Sequence, residues 1–262
     1  MPGDRWTGGD DYEAYVGRWS RQVAPQFVDG LAIPPGARWL DVGCGTGALT
    51  GAIVERAAPV SVLGIDPSGD FVAAAARMQT DPRASFAVAD ASALPLEDGS
   101  VEVVVSGLVL NFIPDIPGAL AEMRRVTVAG GTVAAYVWDY AGRMDLIRRF
   151  FDAAIALDPA AAAVDEGSRF PICSPAGLLD AFESAGFGAV EVHAIDVRTV
   201  FRDFEDYWAP FLTGVGAAPA FAASLDPEKR DAIRTRLEET LPIAADGSIE
   251  LLARAWAVKG RV

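Results

Sequence analysis

A single histidine, His193, and two cysteines, Cys44 and Cys173, are all that 262 residues offer of the side chains that most often hold transition metals. One histidine removes imidazole-based sites, and two cysteines so far apart give neither a disulfide framework nor metal-ligand spacing. No metal is expected. Cations are also scarce: 22 Lys and Arg stand against 36 Asp and Glu, a formal net charge of −14. A field of that sign repels phosphate, so no nucleic-acid partner is expected. No apolar run approaches the roughly 20 residues that cross a bilayer. The leader MPGDRWTGGDDYEAY has no apolar signal core and is too acidic for a transit peptide. These absences lead to the expectation of a soluble, cytoplasmic protein.

What the chain does have is apolar mass, with 51% hydrophobic and 22% charged residues, enough for a sizeable core. Short β-rich runs alternate with alanine-rich helical runs, as in a doubly wound α/β sheet. The strand candidates are Ala37–Val42, Val60–Asp66, Ser85–Asp90, Val101–Ser106 and Thr132–Trp138, then Val190–Val200 and Ile249–Lys259. The first five are nearly continuous apolar runs, which suits parallel strands covered on both faces. Helices are expected at Gly47–Ala57, Ser68–Gln79 and Pro117–Val126. Two more open on a capping residue followed by proline, Ser174-Pro175 and Asp226-Pro227, and Gly186 stops the first of them. Two segments break the alternation, about 139–174 and 202–247, and both are rich in large apolar side chains. Segments that leave the C-terminal edge of a parallel sheet sit where ligands bind.

The turn after the first strand reads LDVGCGTGALT, Leu40 to Thr50. Its glycines fit a dinucleotide fingerprint, Gly43-x-Gly45-x-x-Ala48, and equally a loop for S-adenosylmethionine, Asp41-x-Gly43-x-Gly45-x-Gly47. The acids around them discriminate. Beside a pyrophosphate the Asp41 carboxylate is repelled, whereas beside the ammonium and sulfonium of adenosylmethionine it is favoured. Asp66, in GIDPS, is positioned to accept both hydroxyls of an adenosine ribose, a part that both cofactors share. Asp90, in VADAS, is read as ending the third strand, where it can accept from the adenine amino group. Three acids closing three successive strands decide for the sulfonium cofactor, against an NAD-dependent oxidoreductase.

From about Arg38 to Trp138 the chain resembles the class I S-adenosylmethionine-dependent methyltransferases, and within them the small-molecule group that includes quinone-biosynthesis enzymes. LDVGCGTG resembles the family's first motif and GIDPS its ribose-binding turn. VADASALPLEDGSVEVVVSGLVLNFIPD resembles the adenine-side segment through the fourth strand, and EMRRVTVAGGTVAAYVW the helix and fifth strand that follow. The resemblance implies a Rossmann-like, doubly wound, seven-stranded mixed sheet, its last strand antiparallel, with helical insertions forming a lid. It also implies one methyltransferase domain over 1–262, with a cofactor core at about 30–138 and an N-terminal lid helix at about 11–31. By the same resemblance Gly43, Cys44 and Gly45 lie against the methionine part, Asp66 and Pro67 at the ribose, and Asp90 and Ala91 beside the adenine. Gly107 and Leu108 fall at the end of the fourth strand. Many relatives carry histidine around LNF, where this chain has Asn111, so a histidine base there is absent.

Tyr15 and Arg18, in YVGRWSR, read either as a lid reaching the methionine carboxylate or as part of a helix packing on the core. Trp208 and Phe211 recur at helical spacing and read as core or as an apolar substrate pocket. Asp139 and Tyr140, just past the fifth strand, are the candidates for substrate contact or proton acceptance. Cys44 and Cys173 read as packing residues, and His193 as a half-buried or surface position within a strand. The expected activity is methyl transfer to a small apolar or aromatic molecule; the alternatives are a protein that binds the cofactor without turnover and, against the argument from Asp41, an NAD-dependent oxidoreductase.

Overall fold

A computed structural model describes residues 13–262. The acidic leader and the first residues of the expected lid helix lie outside the described residues. Seven strands form one sheet in the order β3-β2-β1-β4-β5-β7-β6. They are β1 (Arg38–Val42), β2 (Ser61–Asp66), β3 (Ala84–Val88), β4 (Val101–Gly107), β5 (Thr127–Trp138), β6 (Gly188–Phe201) and β7 (Ile249–Arg261). The pairs from β3 through β5 are parallel. β7 runs the other way: Val262 bonds to Gly130 and Gly131 near the start of β5, and Arg254 to Asp139 just past its end. β6 lies antiparallel to β7, and three cross-strand ion pairs bind them: Glu191–Lys259, Asp196–Arg254 and Arg198–Glu250. The expected mixed seven-stranded α/β sheet is the fold observed.

The described residues divide into two compact units, and the chain contributes three stretches to each. The sheet unit comprises 20–137, 172–195 and 255–262. Valines dominate its centre; Val103, Val104 and Val105 of β4 are fully buried, as a parallel strand covered on both faces requires. Its helices start where short polar side chains can take up free backbone N–H groups. Ser68 accepts from Phe71 N at 3.3 Å, Asp115 from Gly118 N at 3.0 Å and Ser174 from Gly177 N at 3.1 Å. Gly186, at φ +81°, stops the helix Pro175–Ser184 as expected. Several boundaries shift from the sequence reading by a residue or more, and two of the differences have a clear physical reason. β5 starts at Thr127, five residues early, because a bulge accommodates the glycines: Val101 pairs with Thr127 but Val103 with Thr132. β3 ends at Val88, so Asp90 stands in the following loop, turned by its own hydrogen bonds to Ser92, and does not close the strand.

The helical unit comprises residues up to Trp19, 138–171 and 196–254. Its core is aromatic. Phe150 stacks on Phe211 with ring centroids 4.5 Å apart and planes 11° from parallel. Tyr15 meets Phe211 edge-on at 5.8 Å, and Phe201 meets both Trp19 and Tyr207 edge-on. The Tyr207 hydroxyl donates to Leu146 O at 3.0 Å, which satisfies its one polar atom inside an apolar cluster. Asp226 caps the helix Pro227–Thr240 by accepting from Lys229 N at 2.8 Å. Truncating the central ring of the cluster removes a stacked partner and leaves a void. Phe150→Ala is therefore expected to cost about 3–5 kcal/mol in urea unfolding; a loss below about 1 kcal/mol would show that the cluster does not organise the unit.

Candidate functional site

The turn between β1 and the helix Ala48–Arg56 needs three positive-φ residues in five, and glycine fills all three: Gly43 (+76°), Gly45 (+53°) and Gly47 (+88°). Backbone hydrogen bonds fasten the turn to β2, since Gly43 N and Cys44 N both donate to Ile65 O at 2.8 Å. Gly43 is also required by space. A Cβ there would lie 2.5 Å from Val109 Cγ1, so the segment leaving β4 closes directly on this residue. Gly45 is the opposite case: a Cβ would meet nothing within 4 Å, and the backbone is open to a ligand on that face.

Asp66 ties the turn down from β2. One carboxylate oxygen accepts from Gly45 N at 3.1 Å and the other from Ser68 N at 2.9 Å. A carboxylate has about four lone-pair sites, so two acceptor positions stay available, the number a ribose diol needs. Asp41 is fully buried on β1. Its Oδ2 accepts from the Thr50 hydroxyl at 2.7 Å, while Oδ1 meets no hydrogen-bond donor. Burial pushes its pKa up to about 7; the Thr50 side chain and backbone oppose the rise, and the Asp66 charge adds to it. Such an acid suits a cation: a bound ammonium or sulfonium would favour its ionised form. A buried anion beside a pyrophosphate would do the reverse.

Other expected residues fall at the same edge. Gly107 ends β4 opposite Tyr136, and a Cβ on it would come within 2.6 Å of the Tyr136 hydroxyl. Leu108 follows in the left-handed region at φ +61°, a strained setting for a residue with a side chain, held by its N–H to Tyr136 O at 2.8 Å. Asp90 and Ala91 lie in the loop after β3, where the two bonds from Ser92 lower the Asp90 pKa. Pro67 is exposed beside Asp66. The Cys44 thiol is pushed far up, first by burial and then by the Asp41 and Asp66 charges, so it is a packing group and not a nucleophile. Cys173 is buried and forms no disulfide.

Apart from His193, the remaining candidates belong to the helical unit, and each is engaged there. Tyr15 is packed against Phe211, and the Arg18 guanidinium lies 4.4 Å from the Trp19 ring and 3.3 Å from Asp206. Trp208 and Phe211 are buried in the aromatic cluster, so the structure places both in packing. Asp139 Oδ2 accepts from Arg143 N at 3.0 Å, which closes the turn after β5; Tyr140 is buried with its ring 5.9 Å from Phe170. His193 is exposed on β6, with a pKa lowered by desolvation and by Lys259. Among the described residues, no cluster of His, Cys, Asp and Glu has the makings of a metal site. Nor is any helix there long and apolar enough to cross a membrane. Thr50, Val109 and Tyr136 escaped the sequence reading; only the exclusion of a side chain at Gly43 and Gly107 hints at Val109 and Tyr136.

Residues 40–135 match a family described as the methyltransferase domain, the class that the motifs resemble. The malonyl-[acyl-carrier protein] O-methyltransferase of Serratia marcescens is 35% identical over 113 residues, 43% of each chain. The demethylmenaquinone methyltransferase of Roseiflexus castenholzii is 36% identical over 105 residues, 40% of this chain and 44% of that one. The chain thus spans less than half the length of these two relatives. A longer match, to the trans-aconitate 2-methyltransferase of Deinococcus radiodurans, is 27% identical over 68% of this chain and 72% of the relative. The fold is shared with the phosphoethanolamine N-methyltransferase 2 of Haemonchus contortus, solved with S-adenosylhomocysteine, at a TM-score of 0.59 and 16% identity. That likeness covers 96% of this chain and 57% of that one. The [4+2]-cyclase SpnF shares it too, at a TM-score of 0.56 and 20% identity over 92% and 82%.

Two outcomes follow from this geometry. A carboxyl that keeps its proton to about pH 7 when folded, against 3.8 otherwise, stabilises the fold most below pH 4 and loses that contribution as pH rises through 7. Melting temperature measured from pH 5 to 8 therefore contains a falling component that Asp41→Asn removes, on the order of 2–4 kcal/mol; parallel profiles for the two proteins would contradict it. Gly43→Ala should also lower the urea midpoint clearly more than Gly45→Ala. The first adds a clash with Val109 to the backbone strain, whereas the second adds only strain, about 1–2 kcal/mol.

Proposed function

We propose that the chain binds S-adenosylmethionine along the C-terminal edge of β1 to β4 and transfers its methyl group to a small, apolar or aromatic molecule. The observation that carries this reading is the buried Asp41 carboxyl, with an oxygen that meets no donor, beside a glycine turn open at Gly45. S-adenosylmethionine supplies an electrophilic methyl: the acceptor's lone pair forms the new bond, the C–S pair stays on sulfur, and the acceptor's proton leaves to water.

The chain's own residues bind, orient and exclude water. Asp41 provides the negative charge for the cationic amino-acid end. Asp66 offers its two remaining acceptor positions to the ribose hydroxyls, and holds Gly45 and Ser68 with the other two. Asp90 and Ala91 flank the adenine. Gly43 lets Val109 close over the turn, which keeps water from the methionine part. Alignment of nucleophile, methyl and sulfur is the main catalytic requirement, and a phenolate, enolate or amine needs little proton removal. The relatives with quinone and acid acceptors in their names support a small-molecule acceptor for this chain.

A second reading keeps the cofactor and drops the transfer. It is favoured by Asp139 and Tyr140, whose local packing gives neither an assigned role as a base. Calorimetric titration tests the shared part. Adenosylhomocysteine should bind at micromolar level, Gly45→Ala and Asp66→Ala should each weaken it about tenfold or more, and NADH should give no heat. Absence of heat with adenosylhomocysteine would sink both readings. Radiolabel transfer from methyl-tritiated adenosylmethionine to any member of a phenol, quinone and amine panel then separates the enzyme from the silent binder.

A further inference from the structure

Asn111 lies in the short turn Leu110–Phe112 that leaves β4. It is 8% exposed, and neither its Nδ2 nor its Oδ1 meets a hydrogen-bond partner. Burying a carboxamide with both ends unpaired is costly, and folded proteins retain few such groups without a use for them. The segment that carries it is the one already fixed against the cofactor turn: Val109, two residues earlier, closes on Gly43, and Phe112 N donates back to Val109 O at 2.8 Å.

The charges of this edge narrow the ligand. The loops leaving β1 to β4, residues 41–51, 66–71, 89–96 and 107–118, contain Asp41, Asp66, Asp70, Asp90 and Asp115 and not one Lys or Arg. A carboxylate acceptor would meet five acids and no cation there, and would lose its hydration without replacement. A neutral hydroxyl suffers no such loss, and it can donate to Oδ1 or accept from Nδ2.

We propose that Asn111 is a specificity-determining residue that holds the methyl acceptor by a neutral hydroxyl group, and that carboxylate acceptors are refused at this edge. The proposal rests on the methyl-transfer reading and narrows its substrate class. It parts this chain from the relatives whose names specify acids, trans-aconitate among them.

The test is a titration of the full chain, saturated with adenosylhomocysteine, with 2-naphthol and 2-naphthoate, two probes of one shape. Wild-type protein should prefer 2-naphthol by about tenfold or more. Asn111→Leu, a near-isostere without polar atoms, should reduce that preference to about threefold or less, leave adenosylhomocysteine affinity within about twofold, and melt no lower than wild type. Asn111→Ala gives the same readout should the leucine variant not fold. The proposal is overturned if 2-naphthoate binds as well as 2-naphthol, if neither naphthyl probe binds while adenosylhomocysteine does, or if both Asn111 variants keep the full preference. Failure of wild-type protein to bind adenosylhomocysteine overturns the underlying function instead.

Discussion

A carboxyl group shut away from water, with one hydroxyl for company, is the constraint around which the cofactor edge is arranged. Asp41 is on β1, between β2 and β4, the most enclosed place a parallel sheet offers. Its Thr50 partner opens no route to solvent; it anchors the first turn of the helix Ala48–Arg56 to the strand that precedes it. The connecting turn then has little freedom, and three left-handed glycines are the backbone's solution to it. Asp66 secures the middle of that turn from the neighbouring strand, and Val109 limits it from the other side. An acid that is costly to bury is thereby kept beside a turn whose backbone is open at Gly45.

Much of this architecture is legible in the sequence because it rests on local rules. Valine-rich runs such as VEVVV suit a strand buried on both faces, and Ser174-Pro175 and Asp226-Pro227 announce helix starts that the structure reproduces. Boundaries were less legible where hydrogen bonding overrides composition. The two glycines at 130 and 131 look like a break before β5, yet the ladder continues through them as a bulge. Asp90 looks like the end of β3, yet Ser92 draws it into a turn two residues past the strand.

The candidate site divides in the same way. Gly43, Gly45, Asp41 and Asp66 could be picked from spacing, since each answers to a backbone or charge requirement within the motif. Thr50, Val109 and Tyr136 could not, because what marks them is a contact between elements. Asn111 stands out in the sequence only by lacking the histidine of many relatives, its unpaired carboxamide being visible in the fold alone. The aromatic residues after β5 carry an ambiguity that periodicity cannot resolve. Trp208 and Phe211 recur as a helix face whether they line a pocket or fill a core, and only the contacts of Phe211 with Phe150, Tyr15 and Trp208 place them in the aromatic cluster.

The interleaving of the two units also has a consequence for how the protein is made. The chain enters each unit three times, and the final stretch, 255–262, belongs to the sheet. Residues of the glycine turn and Asp66 emerge during synthesis well before the strand that bonds to Gly130 and Gly131. A ribosome-bound nascent chain therefore holds the glycine turn and Asp66 while β5 still has an unpaired edge. That interval exposes both an incomplete sheet and an apolar helical segment to association with other chains. Covering the edge of β5 therefore waits for β7 and not for the glycine turn.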